Sequence, residues 1–337
     1  MSVNNFTNGE ELFAICRIPA RWAACYIRLD LLANVVSDAI PKKPAVELPT
    51  LAMLLACYGL LAIATTIVPP VSNLLAFALA TIAIALHSSL QHEALHGHPT
   101  RHSGLNEALV FPAIGLLIPY RRFRDLHLAH HVDTRLTDPY DDPESNFFRP
   151  DDWARMPRWV QWVYRLNNTL AGRILLGPAL SMICMVKSDL QAVRRGEPGV
   201  AQAWALHAIG LVPVIWWLAT IATMPVWIYA AAAYFGFGLL KIRTYLEHRA
   251  HESPTGRTVI IEDRGFFAWL FLNNNYHIVH HSHPGAPWYR MQAYYYADPL
   301  KYQTLNDAYV YRNYREIFAR HLFRAKDPLV HPMLDQG

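Results

Sequence analysis

Two long stretches without charged residues constrain the fold of this 337-residue chain more than any other feature. Neither Leu48–Leu90 nor Val200–Leu240 contains Asp, Glu, Lys or Arg. Pro69-Pro70 interrupts the first stretch and Thr223-Met224-Pro225 interrupts the second, so that each divides into two apolar runs. A helix of about 20 apolar residues spans the hydrocarbon core of a bilayer. The sequence therefore predicts two transmembrane hairpins, which we favour over two pairs of buried helices in a soluble protein.

The predicted fold class is an all-α integral membrane protein with four transmembrane helices in two hairpins and a cytoplasmic helical cap. The four spans are assigned to Leu48–Val68, Val71–Leu90, Ala203–Ile221 and Val226–Leu240. We expect a single domain over residues 1–337, with hairpins at 48–90 and 203–240 and cytoplasmic segments at 1–47, 91–202 and 241–337. Two shorter apolar runs, Ala108–Pro119 and Ile174–Val186, suit interfacial or re-entrant helices.

The distribution of the 30 Lys and Arg residues predicts the orientation in the membrane. The short connectors Pro69–Asn73 and Ala222–Pro225 contain none of them. Because basic residues concentrate in the cytoplasmic loops of membrane proteins, we expect both termini and the segment between the hairpins in the cytoplasm. A net charge of only +4, without a run of basic residues, argues against binding to nucleic acid.

Eight of the 17 histidines lie in three clusters outside the predicted spans. These clusters are His92-Glu-Ala-Leu-His96, His127-Leu-Ala-His130-His131 and His277-Ile-Val-His280-His281. Residues at i, i+3 and i+4 lie on one face of a helix, so each cluster can direct two or three imidazoles at one point. Eight histidines in three such patterns predict a metal centre.

The size of this ligand set favours two ions over one. A zinc site takes three or four protein ligands, fewer than the clusters offer. His248 is the proposed ninth ligand, because it follows the fourth span by about two turns if that helix continues. Imidazole suits zinc, copper, iron and nickel, and iron is the natural candidate for oxygen chemistry, although the ligand count leaves other metals open. The predicted ligands are His92, His96, His127, His130, His131, His248, His277, His280 and His281.

The first cluster also fits a different motif. His92-Glu93-Ala94-Leu95-His96 is an H-E-x-x-H sequence, which in zinc metalloproteases supplies two ligands and a general base, here Glu93. His102 stands at the distance of the third ligand in the longer form of that motif, but Pro99 occupies its glycine position. A membrane protease would also leave the other two clusters unexplained.

Metal-bound imidazoles usually donate their second N–H to an acceptor that orients the ring. Glu93, Asp125, Asp133 and Glu247 are the candidates for that role. The segment Asp133–Pro157, which includes the acidic run Asp138–Glu144, is predicted to be a cytoplasmic loop. We favour a plain connector over a loop that caps the site or binds a polar headgroup. No catalytic residue is predicted beyond the metal centre and these acceptors.

The order H-x(3)-H, H-x-x-H-H, H-x-x-H-H, with a hairpin before the first cluster and another before the third, resembles the membrane fatty acid desaturase superfamily. Thr244–His248 looks like the extra histidine element that members carry after the fourth span. Asn273–Arg290 looks most like the corresponding stretch of bacterial acyl-lipid desaturases. The resemblance covers roughly Leu48 to Trp288.

This resemblance implies two iron ions (Fe2+/Fe3+), O2 as co-substrate, and a lipid or acyl substrate that receives a double bond after hydrogen abstraction from an unactivated C–H bond. It also implies an external electron donor, such as a ferredoxin or a flavodoxin. The superfamily includes hydroxylases and ketolases of lipids, carotenoids and specialised metabolites, which the clusters do not distinguish. A multi-pass protein of a bacterial inner membrane, with a cytoplasmic active site, is the expectation.

Overall fold

The computed structural model describes residues 44–131 and 135–334. Residues 1–43, which form most of the predicted segment 1–47, and the candidate Asp133 lie outside the described residues. The described chain is mostly helical. Its helices are α1 Leu48–Thr66, α2 Asn73–Leu95, α3 Ser103–Leu109, α4 Tyr120–His130, α5 Pro150–Arg155, α6 Arg158–Asn167, α7 Leu170–Leu175, α8 Gly177–Arg194, α9 Val200–Thr220, α10 Val226–Thr244, α11 Phe266–Leu270, α12 His277–Ser282, α13 Met291–Ala297, α14 Pro299–Leu305 and α15 Tyr314–His321.

Three helices of the described chain, α1, α2 and α9, are long and apolar enough to cross a membrane. Large apolar side chains on α1 and α9 point outward, among them Leu55 and Val212 at 74% and 61% exposure. Such surfaces are expected against lipid rather than water. Helix α10 matches the predicted fourth span but is less apolar than these three, since its last turn contains Lys241 and Arg243.

The helices of both predicted hairpins are present. Helix α1 packs against α2, whereas α10 packs closely against α2, α7 and α8 rather than against α9. Glycine permits this close approach. A Cβ atom at Gly236 would lie 2.8 Å from Cγ2 of Ile84 in α2, and one at Gly238 would lie 2.7 Å from the carbonyl oxygen of Ile174 in α7. Helix α10 is thereby enclosed by protein on two sides.

The predicted short helix over Ala108–Pro119 is wrong, because α3 ends at Leu109 and the chain from Val110 to Pro119 is irregular. Packing against α9 and α10 supplies the hydrogen bonds that a helix would otherwise provide: Ala113 N–H donates to the carbonyl of Gly210, and the Tyr229 hydroxyl donates to that of Ile114. Irregular backbone is tolerated at membrane depth where protein buries it in this way. The other short run, Ile174–Val186, lies mostly in α8.

The all-α class needs one small correction in the C-terminal region. Two-residue strands, β1 (Ile260–Ile261) and β2 (Val310–Tyr311), pair in parallel. The β1 segment also fixes the start of α12, because Ile261 N–H donates to the carbonyl of Asn275 and Ile278 N–H donates to that of Val259. This small sheet therefore positions the helix that carries the third histidine cluster.

Candidate metal centre

Four elements bring the histidines together. His92 lies in the last turn of α2, and His96 is the residue that caps it. The second cluster occupies the end of α4 and the third occupies α12. His248 follows α10, but the expected continuation of that helix to His248 is wrong. The helix ends at Thr244, because Glu247 O accepts from Val259 N–H and His248 pairs with Thr258 in an extended bridge.

All nine predicted ligands lie in two adjacent groups, and within each group the candidate ligand atoms are within 4.8 Å of one another. The two groups meet where the rings of His131 and His281 stack, with centroids 4.3 Å apart. One group contains five histidines, His92, His96, His127, His131 and His280, and the other contains four, His130, His248, His277 and His281.

Each H-x-x-H-H cluster is divided between the two groups. His127 and His131, four residues apart, join the group of five, whereas His130 joins the group of four. In α12 the pair at i and i+4, His277 and His281, joins the group of four. On a helix, the side chain at i+4 is rotated by about 40° from the side chain at i, whereas the one at i+3 is rotated by about 60° in the opposite direction. The histidine at i+3 can therefore face a different group from the other two.

The Nε2 atoms converge in both groups. His127 Nε2 lies 3.0 Å from Nε2 of His92 and 3.0 Å from Nε2 of His131, which itself lies 3.1 Å from Nε2 of His280. In the group of four, His248 Nε2 lies 2.8 Å from Nε2 of His130 and 3.2 Å from Nε2 of His277. Facing lone pairs of this kind repel unless a proton or a metal ion lies between them.

Carboxylates determine which nitrogens face inward. His130 Nδ1 donates to Asp142 Oδ1 at 2.7 Å, and His127 Nδ1 donates to Glu144 Oε1 at 3.1 Å. With their protons held at Nδ1, both rings direct an Nε2 lone pair toward the neighbouring imidazoles. This pairing of a carboxylate with a ligand imidazole is the usual support of a metal site.

The third cluster has an analogous support. His277 Nδ1 lies 3.3 Å from Asn274 Oδ1 and 3.8 Å from Glu247 Oε1. Asn274 donates its own amide to Glu247 at 3.1 Å, and Arg243 Nε lies 2.9 Å from the same carboxylate. Glu247, one of the candidate acceptors, is therefore placed beside the histidines.

The electrostatics favour neutral imidazoles. Burial, reinforced by the neighbouring imidazoles, lowers the pKa well below its ordinary value in His96, His131, His248, His277 and His280. His130 differs, because burial lowers its pKa but the carboxylates of Asp142 and Glu144 raise it more, to about 9. A metal ion binds neutral imidazole, so burial prepares most of these rings as ligands.

An unpartnered nitrogen in the group of five also indicates a metal ion. Nε2 of His96 is buried and has no hydrogen-bond partner among the described residues, although it belongs to the group of five. A buried polar atom without a partner costs about 1–3 kcal/mol. Coordination of a cation by this nitrogen would remove that cost.

The remaining candidates lie elsewhere or make other contacts. Glu93 Oε2 accepts from the backbone N–H of Trp288 at 3.1 Å, and Asp125 pairs with Arg124 at 2.8 Å. His102 is exposed at the start of α3 and belongs to neither histidine group. Sequence reasoning missed Asp142, Glu144 and Asn274. The acidic run after the second cluster was the available signal for the first two, and its contacts with His127 and His130 favour the alternative of a loop that caps the site over a plain connector.

A comparison with known protein families identifies the segment that contains the histidines. The family model for fatty acid desaturases matches residues 69–313, which include the second half of the first predicted hairpin, all of the second hairpin and all nine histidines. None of the curated proteins compared with the chain is a match. Because the matched segment covers well over half of the sequence, the chain belongs to the fatty acid desaturase family.

Proposed function

We propose that this protein is an O2-dependent di-iron desaturase that introduces a double bond into an acyl chain or another lipid. The observation that carries the proposal is the pair of adjacent histidine groups, five and four imidazoles, in a chain of the fatty acid desaturase family. Neutral, buried imidazoles supported by carboxylates suit a redox-active metal with an open position. Each group would hold one ion.

Two iron ions, when bound, would supply the oxygen activation needed to remove hydrogen from an unactivated C–H bond. The protein's own residues hold the ligands in place. Asp142 and Glu144 fix the proton of His130 and His127 at Nδ1, and Asn274 and Glu247 do the same for His277. This arrangement keeps the Nε2 atoms directed inward and the site buried from water.

We further propose four spans, with α10 as the fourth, and a cytoplasmic location for both termini and for the histidines. Connectors without Lys or Arg support this orientation. A bacterial inner membrane and a separate electron carrier, such as a ferredoxin or a flavodoxin, complete the proposal.

The zinc hydrolase alternative requires Glu93 to act as a general base. Its carboxylate instead accepts from the backbone of Trp288, and the two histidines of the motif belong to a group of five imidazoles. Glu93→Gln is therefore expected to weaken the enzyme and not to abolish its activity. Complete loss of activity in Glu93→Gln, with iron content unchanged, would contradict this assignment.

Comparison of total lipids by mass spectrometry tests the function directly. Bacteria that express the wild type should contain a product lighter by two hydrogen atoms, which His130→Ala should abolish. His102→Ala is the matched control, because His102 is exposed and lies outside both groups. A product heavier by one oxygen atom would indicate hydroxylation instead.

Metal content gives an independent readout. The purified wild type should contain about two iron atoms per chain, and His130→Ala should contain fewer. One zinc atom per chain, without iron, would refute the di-iron proposal.

A further inference from the structure

A cavity of about 390 Å³ lies beside the metal centre. One part of its wall is formed by Asp142, Glu144 and His248, which belong to or support the histidine groups. Another part is apolar and includes Phe237 and Leu240 of α10. A volume of this size is typical of a small-molecule site. The cavity therefore offers a place for a substrate next to the histidines.

Two cationic side chains in this wall lack an acidic partner. Arg173 of α7 is only 7% exposed. Its guanidinium donates to the carbonyl of Asn167 at 3.0 Å and to the side chain of Asn146, and it lies over the ring of Tyr245. Burial lowers the pKa of Arg173 to about 10, so the group stays charged near neutral pH. All three of these partners are neutral.

Lys241 of α10 likewise lacks an ion pair with a carboxylate among the described residues. Its Nζ donates to Ser181 Oγ at 2.7 Å and lies 4.5 Å from the ring centroid of Phe237. The acidic groups that face it are Glu144, which accepts from His127, and Glu247, which pairs with Arg243. Among the described residues, neither Lys241 nor Arg173 forms an ion pair with a carboxylate.

The two cations lie side by side at Gly177, the first residue of α8. A Cβ atom there would lie 3.2 Å from Cδ of Arg173 and 3.4 Å from Cγ of Lys241. The same point is 3.4 Å from Oδ1 of Asn167, which is 8% exposed and whose Oδ1 is buried without a hydrogen-bond partner among the described residues. Rotation of that amide by 180° would present its NH2 group as a third donor.

An arginine and a lysine buried next to each other are both charged at low cost only if an anion compensates them. Charge-assisted hydrogen bonds are stronger than those between neutral groups. A ligand with an anionic group is therefore expected to bind these two side chains much more tightly than a neutral ligand. Arg173, Lys241 and Asn167 all line the same cavity. The missing partner is therefore expected to enter with the ligand.

We propose that Arg173 and Lys241, with Asn167 and Ser181, form a subsite for an acidic group of the substrate, a carboxylate or a phosphate. This inference rests on the proposed function and adds the substrate class to it. The hydrocarbon part of the substrate lies along the apolar wall toward His248. Because the acidic end is held at a fixed place, the position of the new double bond is counted from that end of the chain.

Competition binding to the purified full-length protein tests the subsite without turnover. Radiolabelled laurate is displaced by unlabelled laurate, by dodecyl phosphate or by dodecanol, which share one chain and differ in the end group. We expect at least one of the two anions to compete about tenfold better than the alcohol. The better of the two identifies a free fatty acid or a phosphate-bearing lipid as the source of the acidic group.

Variants separate a charge effect from a fold effect. Lys241→Met and Arg173→Met should each abolish the preference for the anion, whereas Lys241→Arg should retain it. Lys187→Met is the matched control, because Lys187 lies on α8 with Ser181 but outside the cavity wall. Iron content and elution as a single species check that each variant is folded.

Equal competition by the alcohol and the anions, absence of binding, or an unchanged preference in Lys241→Met and Arg173→Met would overturn the subsite. Such results would leave the proposed desaturase function intact if the protein still binds iron and forms the lighter lipid product. Conversely, an anion preference in a protein without that product would support the subsite and refute the desaturase proposal.

Discussion

The hydrogen bond between Asp142 and His130 offers a direct test of how the metal centre is held. Both side chains are almost fully buried, and the bond from His130 Nδ1 to Asp142 Oδ1 is 2.7 Å long. Asp142 also accepts from the backbone N–H groups of Glu144 at 2.9 Å and of Thr137 at 2.8 Å. One carboxylate therefore orients a candidate ligand and closes the loop that covers it.

Replacement of Asp142 by Asn keeps the size of the side chain but removes its charge. The single remaining oxygen can serve His130 and Glu144, whereas the new NH2 group faces the N–H of Thr137 and cannot accept from it. Mutation of a carboxylate that orients a ligand imidazole typically lowers metal affinity 10–100-fold, equivalent to about 1.4–2.8 kcal/mol. The unsatisfied backbone N–H is expected to reduce the free energy of unfolding by a further 1–3 kcal/mol, roughly.

The loss should fall mainly on the group of four histidines, because Glu144 supports His127 of the other group with its own carboxylate. Iron per chain, measured after dialysis against increasing chelator concentrations, should fall in two steps, the first at a lower chelator concentration in Asp142→Asn than in the wild type. Asp141→Asn is the control, since Asp141 is the adjacent residue and is exposed. Identical chelator curves for Asp142→Asn, Asp141→Asn and the wild type would refute the argument.

Three further predictions follow from packing and charge. Glu144→Gln should shift mainly the other step of the chelator curve, because Glu144 accepts from His127 at 3.1 Å but lies 3.9 Å from Nε2 of His130. A larger shift of the step that Asp142→Asn affects would contradict the division of the clusters. Gly238→Ala should lower the melting temperature, because its Cβ would lie 2.7 Å from the Ile174 carbonyl and overpacking costs about 1–3 kcal/mol, whereas Gly59→Ala, with nothing within 4 Å, should leave it nearly unchanged. The metal-free protein should lose stability as the pH falls from about 7.5 to about 5.5, because the unfolded state gains protons on histidines whose folded pKa is lowered, such as His280. A melting temperature of the metal-free protein that rises or stays constant as the pH falls over that range would contradict the burial of neutral imidazoles. His130, whose pKa is raised, acts in the opposite direction but is a single group.

The sequence could predict which histidines of one cluster share a helix face, because helical periodicity is a local property. Residues four apart share a face in any helix, so His127 and His131 were expected together, as were His277 and His281. The assignment of each cluster to two groups could not be predicted, since it depends on how α4 and α12 are rotated about their axes. His130 and His248, whose Nε2 atoms are 2.8 Å apart, are separated by 118 residues.

The end of α10 and the contacts of the supporting carboxylates could not be predicted from the sequence either. The apolar composition of α10 gave no sign that it would end at Thr244, because the competing partner, Thr258, comes from a distant loop. The contacts of Asp142 and Glu144 with histidines likewise require the loop after α4 to fold back over the cluster. Hydrogen-bond partners that come from elsewhere in the chain override local pattern at such places.

The sequence by itself determined the helical class, the two apolar hairpins and the nine histidines, because hydropathy and helical spacing are properties of neighbouring residues. Tertiary structure decided which imidazoles face one another, which carboxylates hold them, and that Arg173 and Lys241 lie side by side next to the cavity. These features arise from side chains far apart in the chain that share a small, buried space. Their energies depend on distance and burial, which only the packed helices define.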